Sequence, residues 1–161
     1  MDCPFCNINA EKTRILKDGK FVRVIFSNPR LMPGHLLVVP KKHVEKISQL
    51  NEEEKKELFE TVVEFQEKIL SKVSSGCDMK QNHRPFQKQD KLKVNHLHVH
   101  LQPRELFDEL YEKCQVFETD VFRDLSLEEL EKPHEPFLTL LIYPRYILSQ
   151  LYNQTIRYLS L

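Results

Sequence analysis

The stretch Val94-Asn95-His96-Leu97-His98-Val99-His100-Leu101 alternates polar and aliphatic side chains, and it constrains the fold more than any other part of the chain. A period of two belongs to a β-strand with one buried face, so the stretch predicts a strand. On such a strand His96, His98 and His100 share one face, about 6.6 Å from one to the next, and Leu97, Val99 and Leu101 share the other. One sheet face then carries chemistry and the other a core. Three imidazoles on one face repel one another when protonated, so their grouping points to use on a ligand. Two chemistries fit: attack on a phosphate-sized group, and a metal site built on His-x-His. Spacing alone does not separate them.

Around this strand the local signals are those of an α+β domain. Thr13-Arg14-Ile15-Leu16 and Phe21-Val22-Arg23-Val24-Ile25-Phe26 are β-prone runs flanking Asp18-Gly19, which predicts an antiparallel hairpin closed by a type I′ turn. Leu36-Leu37-Val38-Val39, ended by Pro40, is continuously apolar, as in a central strand buried on both faces. A helix is predicted from Asn51, with Glu54 completing a capping box and Leu58, Val62, Phe65, Ile69 and Val73 forming its apolar face; Ser74-Ser75-Gly76 ends it. Lys80 to Lys93 reads as a polar, lysine-rich connection. Beyond Pro103 the segments Arg104 to Gln115 and Ser126 to Lys132 read as helical, whereas Phe137 to Leu161 is apolar and tyrosine-rich without a period that assigns it.

Length and charge narrow the function classes. A chain of 161 residues supports one core with terminal additions, here a domain over 1–104 and an extension over 105–161. Lysine plus arginine and aspartate plus glutamate both number 24, so the basic excess expected of a nucleic-acid binder is absent and any polyanion must be met locally. No apolar run is long enough to span a bilayer, and Met1 to Cys6 lacks the form of a secretory signal; the expectation is a cytoplasmic protein without a membrane partner. In a reducing compartment Cys3, Cys6, Cys77 and Cys114 are not expected to form a disulfide framework; Cys77 and Cys114 are expected to be buried packing residues.

Two separated motifs, Pro33-Gly34-His35-Leu36-Leu37-Val38-Val39-Pro40-Lys41-Lys42-His43 and His96-Leu97-His98-Val99-His100-Leu101-Gln102-Pro103-Arg104, together resemble the histidine-triad (HIT) family. Gln102 departs from that family's signature, which is apolar there. The resemblance implies an antiparallel sheet of about five strands with one long amphipathic helix, and homodimers that join sheets edge to edge. It implies that His98 attacks the α-phosphorus of a nucleotide conjugate, that His100 serves the leaving group and phosphate oxygens, and that His96 and His35 form a buried pair orienting the nucleophile. Ser27 or Asn28 falls where relatives contact the ribose. The family's Gly-Gln-Ser/Thr-Val phosphate loop is replaced by Lys91-Leu92-Lys93-Val94, with Asn82 displaced upstream; Arg84, Lys88, Lys91 and Lys93 are candidate substitutes for its anion contacts.

Cys3-Pro4-Phe5-Cys6 has zinc-ligand spacing but needs two further ligands. Some HIT proteins complete such a pair with the histidine after Pro-Lys-Lys and the first triad histidine, which implies Cys3, Cys6, His43 and His96 as a structural zinc set here. His96 cannot then pair freely with His35. The resulting expectation is a hydrolase or transferase releasing a nucleoside monophosphate from phosphoramidates or dinucleoside polyphosphates without a catalytic cofactor. A binding module with little turnover and a zinc hydrolase using the histidine run are the other readings.

Overall fold

A computed structural model describes residues 3–9, 13–90 and 92–126 of the protein. The chain divides into two compact units, Met1–Val116 and Phe117–Leu161. The expected roles of Lys91 and of Phe137 to Leu161 fall outside the described residues, as does the Ser126 to Lys132 helix beyond Ser126 itself.

The first unit is an antiparallel five-stranded sheet with one long helix. Its strands are β1 (Ile15–Asp18), β2 (Val22–Phe26), β3 (Leu36–Pro40), β4 (Gly76–Lys80) and β5 (Val99–Arg104), in the order β1-β2-β3-β5-β4. The helix α1 (Glu52–Lys72) lies between β3 and β4 in sequence. Asn51 caps it as its sequence suggests: Oδ1 accepts from the Glu54 amide, and the Glu54 carboxylate accepts from the Asn51 amide. Leu58, Val62, Phe65 and Ile69 pack onto Val22, Val24, Leu36, Val38, Val99 and Leu101, which alternate along their strands and so share one sheet face. Each such apolar side chain contributes about 1.5–3 kcal/mol when removed from water. Val73, expected on this face, is instead the exposed C-cap.

Every residue of β3 is buried, because both of its faces are covered. Leu36 and Val38 meet the helix side, while Leu37 and Val39 join Ile25 beneath Phe5 and Ile8 of the N-terminal segment. The N-terminal segment thus roofs the face opposite α1.

Several local expectations need correction. The hairpin forms, but Asp18 pairs with Arg23 inside the ladder, so Gly19 to Phe21 make the turn. A type I′ turn needs positive φ at both central residues, and among the described residues only Gly34 and Phe107 have it. Gly19 instead leaves room for α1: the Glu57 carboxylate accepts from the Phe21 and Val22 amides, and a side chain at Gly19 would collide with it. The sequence signals place a helix stop at Gly76 and a polar connection from Lys80 and assign nothing between them, whereas β4 pairs with β5 over its whole length. Arg104 ends β5; the helix expected from it reduces to α2 (Glu109–Lys113) and a 3-10 turn at Gln115–Asp120. Cys77 packs at the core margin, and Cys114 is exposed, not buried. No helix among the described residues is long and apolar enough to cross a membrane.

Candidate functional site

The histidine run does not lie on one strand face. The ladder starts at Val99, and the preceding residues are held by the Leu97 amide, which donates to the Val44 carbonyl at 2.6 Å. His96 departs from the triad row and enters the cysteine loop, where its ring meets Phe5 and His43 edge-on at 5.7 and 4.9 Å. His98 and His100 remain neighbours, with ring centroids 4.7 Å apart.

Hydrogen bonds define the tautomer of each ring. His98 Nδ1 lies 2.6 Å from the His96 carbonyl oxygen, which only accepts, so Nδ1 carries the proton and Nε2 keeps its lone pair. His35 Nδ1 accepts from the Leu31 amide at 3.2 Å, so in the neutral ring Nε2 holds the proton. That Nε2 donates to His100 Nδ1 at 3.0 Å, which leaves the His100 proton on Nε2. His35 therefore partners His100 and not His96, because β3 lies beside β5 with Leu37 opposite His100. Gly34, at φ 77°, turns the chain into β3 here, and a side chain on it would press on Pro103 and Val73.

Burial keeps these imidazoles neutral. It lowers the pKa of His35 to about 4, assisted by the nearby His98. It lowers His100 to about 3, with His98, His35 and Lys80 adding to the effect. His98 is lowered for the same reason, opposed by its bond to the His96 carbonyl. A neutral ring with a free nitrogen lone pair is the form in which histidine acts as a nucleophile.

Cys3, Cys6, His43 and His96 form a second cluster, with their ligand atoms all within 4.8 Å of one another. Cys3 Sγ is 3.4 Å and Cys6 Sγ 3.6 Å from His96 Nδ1, and Cys6 Sγ is 3.3 Å from His43 Nδ1. Tetrahedral zinc with two thiolates and two imidazoles places sulfur and nitrogen about 3.5 Å apart, so the set fits. His96 Nε2 donates to the Pro40 carbonyl at 2.8 Å, leaving Nδ1 free to face the thiols. Four protein ligands make a closed, structural site, and the residues fit a structural zinc.

The remaining candidates are dispersed. Ser27 Oγ donates to the Pro29 carbonyl at 2.7 Å, beside Asn28 in the β2–β3 loop. Asn82, His83, Arg84, Lys93, Asn95 and His96 line a small polar hollow. Lys93 Nζ donates to the Gln87 carbonyl and, at 2.7 Å, to Asn95 Oδ1, so it fastens its own loop; Lys88 is exposed. Three features were missed from sequence. Phe5 packs edge-on against His98 at 5.2 Å, Lys80 stands directly opposite His100 in the β4–β5 register, and the Pro40 carbonyl orients His96. Only Phe5, an aromatic within the Cys-x-x-Cys loop, carried a sequence signal.

A five-stranded antiparallel sheet with a neutral histidine presented at the edge of its central strands, beside a closed Cys2His2 cluster, defines a class of small α+β proteins with a histidine-centred site. The HIT domain family matches residues 7–106, and the chain belongs to the HIT family. It is 31% identical over 105 residues to an uncharacterised HIT-like protein of Methanocaldococcus jannaschii, covering 63% of this chain and 78% of that one. Its fold is similar to a HIT family protein from Bacillus subtilis, at 22% identity and TM-score 0.57, covering 98% of this chain and 96% of that one. It is also similar to a zinc-bound histidine triad family protein from Mycobacterium smegmatis, at 22% identity and TM-score 0.56, covering 68% and 80% of the two chains.

Proposed function

We propose that the protein is a nucleotide hydrolase or transferase that cleaves nucleoside phosphoramidates or dinucleoside polyphosphates at the α-phosphate through a nucleotidyl-histidine on His98. The observation that carries this reading is the His98 Nδ1 contact with the His96 carbonyl, which aims an unprotonated Nε2 away from the backbone. Nε2 attacks the α-phosphorus, forming an N–P bond while the bond to the leaving group breaks and its electron pair departs with that group, as a phosphate anion or, from a phosphoramidate already protonated on nitrogen, as a neutral amine. The imidazolium produced is held by the same carbonyl. Water then attacks phosphorus, the N–P electrons return to His98, a water proton is released, and a nucleoside monophosphate leaves.

His100, with its proton on Nε2, donates to a phosphate oxygen, and His35 is the positioning residue that imposes this tautomer. Ser27 and Asn28 are assigned to the ribose side and Asn82 to the phosphate side, whereas Lys93 is engaged within its own loop. The zinc set lies outside the reacting atoms and supports the turn that presents His98. The protein works as a homodimer, a reading supported by the outer edge of β4, unpaired among the described residues, and by exposed Phe59 and Val63 on α1.

Incubation with adenosine phosphoramidate or diadenosine tetraphosphate is expected to release AMP, and mass spectrometry to trap a nucleotidyl adduct on His98. His98→Ala is expected to lower turnover at least about 1,000-fold, since it removes the nucleophile. Turnover that survives this substitution would refute the assignment. Nucleotide binding without turnover in the wild type would favour a binding module, a reading supported by the use of Lys93 inside its own loop.

A further inference from the structure

Lys80 has no place in the chemistry described so far. It ends β4 directly across from His100, and opposite residues in an antiparallel pair carry their side chains on the same sheet face, with Cβ atoms about 5 Å apart. Its position is therefore fixed by backbone pairing and not by a loop. Asp78, two residues earlier on that face, is 3.7 Å from Lys80 Nζ but already receives Arg104 at 2.5 Å. The Lys80 ammonium is half-exposed and makes no closer ion pair among the described residues.

Beyond Lys80 the connection to His96 carries Arg84, Lys88, Lys91 and Lys93 against Asp90 alone, within a chain of zero formal net charge. Cationic excess is thus concentrated on the strand end and connection that lead into the histidines. Lys93 and Asp90 spend their polar atoms tying that connection together, which leaves Lys80 as the strand-borne charge nearest the triad.

The leaving group decides what such a charge is for. An amine must gain a proton as it departs, whereas a phosphate chain departs as an anion and requires only charge compensation. His100 is held neutral by burial, then by His98 and His35 and least by Lys80, so an imidazolium able to give a proton is scarce at neutral pH. The Lys80 ammonium, which disfavours the protonated form of His100, is the kind of charge that stabilises a departing anion.

We propose that Lys80 is a specificity-determining residue that binds the anionic leaving group, so that the preferred substrates are nucleotides joined through the α-phosphate to a further phosphate chain. This rests on the nucleotide-transfer reading given above. In the step concerned, His98 Nε2 forms its bond to the α-phosphorus as the bridging P–O bond breaks. The electron pair stays on the bridging oxygen, which leaves as part of a phosphate anion beside Lys80, and no proton is transferred.

The test is the ratio of kcat/KM for diadenosine tetraphosphate to that for adenosine phosphoramidate, measured with wild type, Lys80→Met and Lys80→Arg. The two substrates share the transferred nucleotide and differ in the charge that leaves. Lys80→Met is expected to lower the ratio about ten-fold or more, the size of one charge-assisted contact, and Lys80→Arg to keep it within about three-fold of wild type. An unchanged ratio in Lys80→Met, including equal loss of both activities, overturns the specificity role while leaving His98-dependent transfer intact. Wild-type protein that turns over neither substrate through His98 overturns the functional reading and this assignment with it.

Discussion

Gln102 is 3% exposed, and its Oε1 has no hydrogen-bond partner among the described residues. It lies opposite Asp78 on the face that carries His100. An unpaired buried acceptor costs about 1–3 kcal/mol, whereas an apolar side chain of similar length has nothing to desolvate. Gln102→Met is expected to raise the unfolding free energy by about 1 kcal/mol in a urea titration. A loss of similar size would show that the amide is paired in solution. The residue scale was also where sequence was weakest on partners. His35 and His100 are far apart in the chain, and only strand adjacency brings them to 3.0 Å.

Among the elements, α1 announces itself because its determinants are local. Asn51 and Glu54 are three residues apart and satisfy amides that no other part of the helix can reach. Asn51→Ala is expected to cost about 1 kcal/mol of stability, read from denaturant unfolding, with little change in the slope. β4 gives the opposite lesson. Gly76-Cys77-Asp78-Met79-Lys80 shows neither an apolar run nor strict alternation, since an edge strand with half-exposed side chains needs little of either. Its backbone pairing with β5 and the Arg104–Asp78 ion pair hold it in place, and both depend on residues distant in sequence.

At the scale of the first unit, the Cys2His2 cluster draws together the N-terminal loop, the segment after β3 and the entry to β5. A metal that binds only the folded form stabilises it by about 2.7 kcal/mol when free metal stands at a hundred times Kd. Protein loaded with zinc is expected to bind one ion per chain and to melt several degrees higher than protein stripped with a chelator. Cys6→Ser is expected to abolish most of that difference. Equal melting of loaded and stripped protein would exclude a structural role. Phe5 lies between Cys3 and Cys6 in sequence and packs on both His96 and His98, so removal of a bound metal is expected to free the same loop that roofs the site.

The features legible without the fold are those written in short range: the capped helix, the apolar run of β3, the hairpin strands, and His98, His100, Cys3, Cys6, His43 and His96 as candidate groups. Two motifs in order were enough to indicate the family and hence the α+β sheet. How the histidines divide, with His35 on His100 and His96 among the thiols, follows from long-range packing alone. The physical reason is that a period-two pattern specifies alternation only while the backbone stays in a ladder, and whether residues 96–98 join one depends on what lies beside them. Here the Leu97 amide finds the Val44 carbonyl, the ladder starts two residues later, and His96 turns away from the row.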